Sequence, residues 1–141
     1  KPEQVLRLLI HQPIFRQPIK ENIALLKKLS SKNTHNYFLI SGRFGFLKGR
    51  TNELIQKHGF DKIFKSLHFN FENKQTHLFK NAIIRKLKIE LYVDDDLPLL
   101  RYLSKNNPKT IFYWLNKKTN KKLSDNLFAI IHLSEMFNEK S

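Results

Sequence analysis

The sequence has no cysteine, only four glycines, and few acids. Without cysteine, disulfide scaffolds, thiolate zinc sites, iron–sulfur clusters and cysteine nucleophiles are all excluded, and the chain fits a reducing compartment such as the cytoplasm. Four glycines, none in the required pattern, leave no Gly-rich phosphate-binding loop. No apolar run approaches the roughly 20 residues of a membrane helix, and the first residues do not read as a signal peptide. The six histidines show no pair at i, i+4 or at another metal-ligand spacing, which argues against zinc. Twelve Asp and Glu face 26 Lys and Arg, a formal net charge of +14.

What is present argues for a folded domain. A chain of 141 residues suffices for one domain, and 40% hydrophobic with 12% aromatic residues suits a packed core rather than disorder. The basic excess is the electrostatic footprint of a nucleic-acid binder. Most of it is lysine, however, whereas arginine is the usual reader of base edges. The excess is also spread along the chain, with Lys117-Lys118 and Lys121-Lys122 as its only dense group. That pattern reads as a solvated surface. Nucleic acid or an acidic partner bound by a non-enzymatic basic module stands as the alternative reading.

Residues 1–20 read as an N-terminal extension or linker. Val5, Leu6, Leu8, Leu9 and Ile10 suit a helix or a short strand, and Pro13 and Pro18 then punctuate the chain. Over residues 21–141 the pattern alternates. Ile23, Leu25, Leu26 and Leu29 have helical spacing. Tyr37 to Ile40 reads as a buried strand turning at Ser41-Gly42-Arg43, and a helix over about 50–58 is closed by Gly59. A second strand lies within Ile63 to Phe71, and Thr76 is placed to cap a helix running to Leu87. Ile89 to Val93 is a third strand, and a helix with Pro98 in its first turn follows from Leu97. Thr110 to Leu115 is a fourth strand. Ser124 or Asp125 then caps a last helix carrying Leu127, Ile130, Ile131 and Phe137. This alternation predicts an α/β fold, a Rossmann-like parallel sheet with helices on both faces. Ligands of such sheets bind beyond the carboxyl ends of the strands. Attention therefore falls on Ser41-Gly42-Arg43, Asp94-Asp95-Asp96 and Asn116-Lys117-Lys118.

Three adjacent carboxylates at a strand end repel one another unless a cation or proton intervenes. Hard oxygen donors there suit Mg²⁺, which takes one or two carboxylates plus waters and phosphate oxygens. Asp96 is better explained as the N-cap of the helix beginning at Leu97, so Asp94 and Asp95 are the metal candidates. Ser41 and the amides that follow it could hold a phosphoryl oxygen. Lys80, in the first turns of the preceding helix, could neutralise both carboxylate and phosphate charge. Lys74 could reach the same region from the loop.

Taken together, strand–Ser41-Gly42-Arg43, then Lys80, then Leu91-Tyr92-Val93-Asp94-Asp95-Asp96 resembles the second, third and fourth motifs of the haloacid dehalogenase superfamily. The similarity covers roughly residues 18–135 and is closest from Thr76 to Ile84 and from Val93 to Asp96. The resemblance implies a Rossmann-like fold and a Mg²⁺-dependent phosphohydrolase of the phosphatase type, acting on a phosphorylated small molecule. It implies Lys80 as the catalytic charge-stabilising residue, Ser41, Gly42 and Arg43 as the phosphate site, and Asp94 and Asp95 as metal ligands. The superfamily's first motif, an apolar strand ending in Asp-x-Asp, has no counterpart here, since no Asp precedes Asp61. That strand is central in the family, between those predicted at 37–41 and 89–93. The sequence is therefore expected to lack its first central strand, with the nucleophile upstream of Lys1. Alternatively, Val5 to Ile10 fills the slot as a strand without an acid, which leaves the domain intact and catalytically inactive.

Overall fold

A computed structural model of the chain describes residues 6–11, 24, 27, 28, 35–44, 64–70, 72 and 74–137. Within them lie β1 (Leu6–His11), β2 (His35–Phe44), β3 (Phe64–Asn70), β4 (Leu91–Asp94), β5 (Ile111–Leu115), β6 (Lys121–Ser124) and β7 (Leu127–Ile130). They make one sheet in the order β3-β2-β1-β4-β5-β7-β6. Every pairing is parallel except that of β6 with β7, which adds an antiparallel edge. The α/β class with a mostly parallel sheet follows directly.

Side chains alternate across each strand, so each run supplies both faces. Leu8, Ile10, Leu39 and Val93 pack on one side with Ile130, Leu133 and Met136. Leu9, Ile40, Tyr92 and Phe112 pack on the other, under Ile84 of α1 (Thr76–Leu87) and Leu99, Leu100 and Leu103 of α2 (Leu97–Asn106). Strands covered on both faces need unbroken apolar sequence, which accounts for Leu8-Leu9-Ile10 and Tyr37-Phe38-Leu39-Ile40. A short 3₁₀ helix, Leu133–Phe137, lies on the face opposite α1 and α2.

β1 changes the expected plan. It pairs with β2 along its whole length, Leu6 opposite His35 through His11 opposite Ile40, and with β4 from Leu8 opposite Leu91 to Ile10 opposite Val93. Residues 6–11 thus occupy a central position in the sheet, as an apolar strand without an acid. Those residues belong to the sheet. The physical reason is burial. Leu8, Leu9 and Ile10 are fully buried between two strands whose facing edges would otherwise hold unpaired N–H and C=O groups.

Three further expectations are corrected. The strand predicted to turn at Ser41-Gly42-Arg43 continues to Phe44. Its register against β3 slips between Ser41 (opposite Phe69) and Phe44 (opposite Asn70), a bulge of the kind common at sheet rims. Thr76 is the first residue of α1 rather than its cap. The last helix is instead the β6–β7 hairpin, followed by the 3₁₀ turn. Asp125-Asn126 supplies the two-residue loop, and Asn126 Nδ2 donates to the carbonyls of Ser104, Asn107 and Thr110 at 3.0, 3.1 and 3.0 Å. Asp96 does cap α2, with its Oδ1 accepting from Leu99 N at 3.1 Å. Residues 24, 27 and 28 are helical. The rest of the helix predicted from Ile23 to Leu29, and all of that over 50–58 with Gly59, lie outside the described residues.

Candidate functional site

β4 runs toward its carboxyl end with Tyr92 and Asp94 two residues apart and hence on one face, the face covered by α1. Asp94 is fully buried. Its Oδ2 accepts from Lys80 Nζ at 2.7 Å and from the Tyr92 hydroxyl. Its Oδ1 accepts from the backbone N–H groups of Asp95 at 2.7 Å and Asp96 at 3.2 Å. Lys80, 14 residues earlier on α1, is only 1% exposed. Removing such a cation and anion from water is tolerable only where they pair and their remaining hydrogen-bonding capacity is used. Burial, reinforced by the charge of Asp94, pushes the Tyr92 hydroxyl well above the usual phenol range. The phenol therefore stays protonated and available as a donor.

The three aspartates have three different roles. Asp94 is the buried anchor. Asp95 is exposed, and its carbonyl accepts from Trp114 Nε1 at 3.2 Å. Asp96 is exposed and caps α2. Lys80 rather than Lys74 reaches this group. Asn70 grips the Lys74 backbone, donating to its carbonyl at 2.7 Å and accepting from its N–H at 2.9 Å, while Lys74 Nζ lies 3.1 Å from Glu72 at the surface. The backbone of Ser41, Gly42 and Arg43 lies at the carboxyl end of β2, beside the end of β1. β1 ends at His11, one residue beyond the Ile10–Val93 pairing and so at the level of Asp94. Asn116-Lys117-Lys118, after β5, is a side-chain-organised turn. Asn116 Oδ1 accepts from the N–H groups of Lys118 and Thr119, both at 2.9 Å.

Sequence reasoning singled out Lys80, Asp94 and Asp95 and missed Tyr92 and Asn70. Alternation along Leu91-Tyr92-Val93-Asp94 already places Tyr92 on the face of Asp94, so that signal was available. For Asn70 no comparable signal exists, because its role depends on a turn between two elements.

The fit of Mg²⁺ differs between the two proposed ligands. Asp94 already accepts from four donors and would reach a metal only by releasing one of them. Asp95 presents an exposed carboxylate at the strand end. Among the described residues no group of three or more His, Asp or Glu converges. A Mg²⁺ ion that keeps most of its waters and shares a phosphate needs only one or two protein carboxylates, and Asp95 meets that requirement. No helix among the described residues is long and apolar enough to cross a membrane. Compared with protein-family models and with curated protein sequences, the chain has no match.

Proposed function

We propose that this chain is a haloacid-dehalogenase-like domain of the phosphohydrolase type, which receives the phosphoryl group of a phosphorylated small molecule at the carboxyl end of its sheet. The observation that carries the reading is the 2.7 Å contact between Lys80 and Asp94. Two residues from separate motifs meet beside the central strand. Placement at the carboxyl ends of parallel strands is where α/β sheets bind ligands.

In this reading Asp94 fixes Lys80 and, through its grip on two backbone N–H groups, the path of Asp95. Lys80 then presents a fixed positive charge in a low-dielectric setting, where preorganised electrostatics act most strongly on a phosphoryl group. Ser41 and the amides of Gly42 and Arg43 donate to phosphoryl oxygens. Asp95 would hold Mg²⁺, which when bound neutralises phosphoryl oxygen charge as a Lewis acid. β1 ends in His11 rather than an aspartate, so the chain's own central strand offers no aspartyl nucleophile. The reading is therefore capture of the phosphoryl group by these residues, with turnover by the aspartyl route absent.

Isothermal titration calorimetry with inorganic phosphate and with a phosphomonoester, each with and without Mg²⁺, tests this. Binding is expected to require Mg²⁺ and to weaken at least about tenfold in Asp95→Asn, given that one of the metal's one or two protein carboxylates is lost. Equal affinity in both proteins overturns the metal role of Asp95. Failure of the wild-type chain to bind either anion overturns the phosphoryl site.

A further inference from the structure

The fold brings together part of the basic excess that is diffuse in sequence. No acid lies between Glu72 and Glu90, nor between Asp96 and Asp125. These two stretches contain α1 and α2, which pack side by side on one face of the sheet over a shared core. Their exposed surfaces carry Arg85, Lys86, Arg101 and Lys105, all of one sign. At the amino ends of β4 and β5, opposite the candidate phosphoryl site, the ends of the helices surround an open depression of about 500 Å³. Arg85, Lys88 and Lys109 stand around it over Ile84 and Ile89.

Those three cations are exposed, and among the described residues none has a carboxylate within 4 Å. Arg85 is preorganised by neutral partners, its Nη2 donating to Asn106 O at 2.9 Å and its Nε to Asn107 Oδ1 at 3.4 Å. Among the described residues the one acid at the rim, Glu90, is occupied elsewhere. It accepts from Arg7 N at 3.0 Å and lies 3.8 Å from the Arg7 guanidinium. Lys88 closes α1 in the left-handed conformation at φ 55°, where glycine is the usual choice and a side chain is strained. The fold accepts that strain and keeps a cation at the rim.

We infer that this face docks the sugar–phosphate backbone of nucleic acid, with Arg85, Lys88 and Lys109 as phosphate contacts and Arg101 and Lys105 extending the track. The inference is independent of the phosphoryl site, which lies at the other end of the strands. Among the described lining residues there is no aromatic ring to stack on a base, so recognition rests on phosphate and carries no sequence preference.

Fluorescence anisotropy with a labelled 20-base-pair DNA duplex tests it on the full chain across a salt series. Binding at low salt is expected, with log affinity falling linearly in log salt. The double variant Lys88→Glu with Lys109→Glu is expected to weaken binding about tenfold and to flatten the slope by about 1.8, roughly 0.9 for each lost phosphate contact. Lys121→Glu with Lys122→Glu changes the net charge equally on the distant edge strand β6 and should leave affinity within about twofold, since charges beyond the Debye length are screened. Lys88→Gln with Lys109→Gln gives the same direction should the charge reversals perturb folding. Equal weakening by the β6 pair overturns the assignment, as does no binding at low salt. So does equal affinity for a polyglutamate of the same charge.

Discussion

The buried Lys80–Asp94 pair makes a quantitative demand on stability. Asp94 is fully buried and Lys80 1% exposed, and their contact is 2.7 Å. Replacing Lys80 with Met keeps most of the side-chain volume but leaves a buried carboxylate without its counter-ion. Losing one partner of such a pair costs about 3–5 kcal/mol, a large share of the roughly 5–15 kcal/mol that holds a domain together. At a urea slope of about 2 kcal/mol per molar the midpoint should fall by roughly 2 M, and the melting temperature by on the order of 10 °C. Trp114, the only tryptophan, donates to Asp95 O and so reports on this strand end by its fluorescence. Asp94→Asn alone should also destabilise. The double variant Lys80→Met with Asp94→Asn removes both charges and keeps an acceptor for Tyr92. It should cost less than the sum of the singles by about 2 kcal/mol, within the range measured for residues in contact. If the three variants add to within about 0.5 kcal/mol, or Lys80→Met leaves the midpoint unchanged, the pair does not hold the strand end as described.

Two other substitutions follow from the same structure. Burial, and then the nearby charge of Lys86, push the His68 imidazole below its ordinary value. Its neutral form is therefore favoured by folding, so its contribution to stability is present above the ordinary histidine range and lost as pH falls through the lowered value. Lys86→Gln should move the His68 titration, followed by NMR of its ring protons, part of the way back up. No movement would refute the charge contribution. Asn126→Ala withdraws one donor group from the carbonyls of Ser104, Asn107 and Thr110. It should cost about 1–3 kcal/mol in chemical denaturation, and a loss below about 0.5 kcal/mol would show that water replaces the amide.

The parts of the fold legible in sequence are those fixed by local chemistry. Leu97-Pro98 after Asp96 marks α2 because a cap and a first-turn proline are both local devices. The run ending at Asp94 marks β4 because a buried parallel strand must be apolar on both faces. The last segment failed for the same reason in reverse. Ser124-Asp125-Asn126 serves equally as a helix cap and as a hairpin loop. The choice is made by the pairing of Leu127 with Phe112 across β5, which no local pattern contains. Leu6 to Ile10 posed a similar ambiguity, resolved by partners far along the chain. At the site, alternation brings Tyr92 to Asp94, whereas Lys80 was joined to the carboxylates by its place in the preceding helix and by resemblance. The clustering of cations was hidden because α1 and α2 become neighbours only when strands between and beside them pair.

The position of β1 has a consequence for synthesis. Its first edge finds a partner when residues 35–40 emerge, but its other edge waits for β4, and Arg7 bonds to Glu90, 83 residues away. At about 5–20 residues per second, the interval between those two partners leaving the ribosome is on the order of several seconds. During it, a strand carrying Leu8, Leu9 and Ile10 has one open edge, which invites pairing with another nascent chain. Slowed translation between residues 40 and 91 would lengthen that exposure. Among the described strands β1 therefore waits longest for its second partner, and yield of folded protein should depend on how quickly the middle of the message is read.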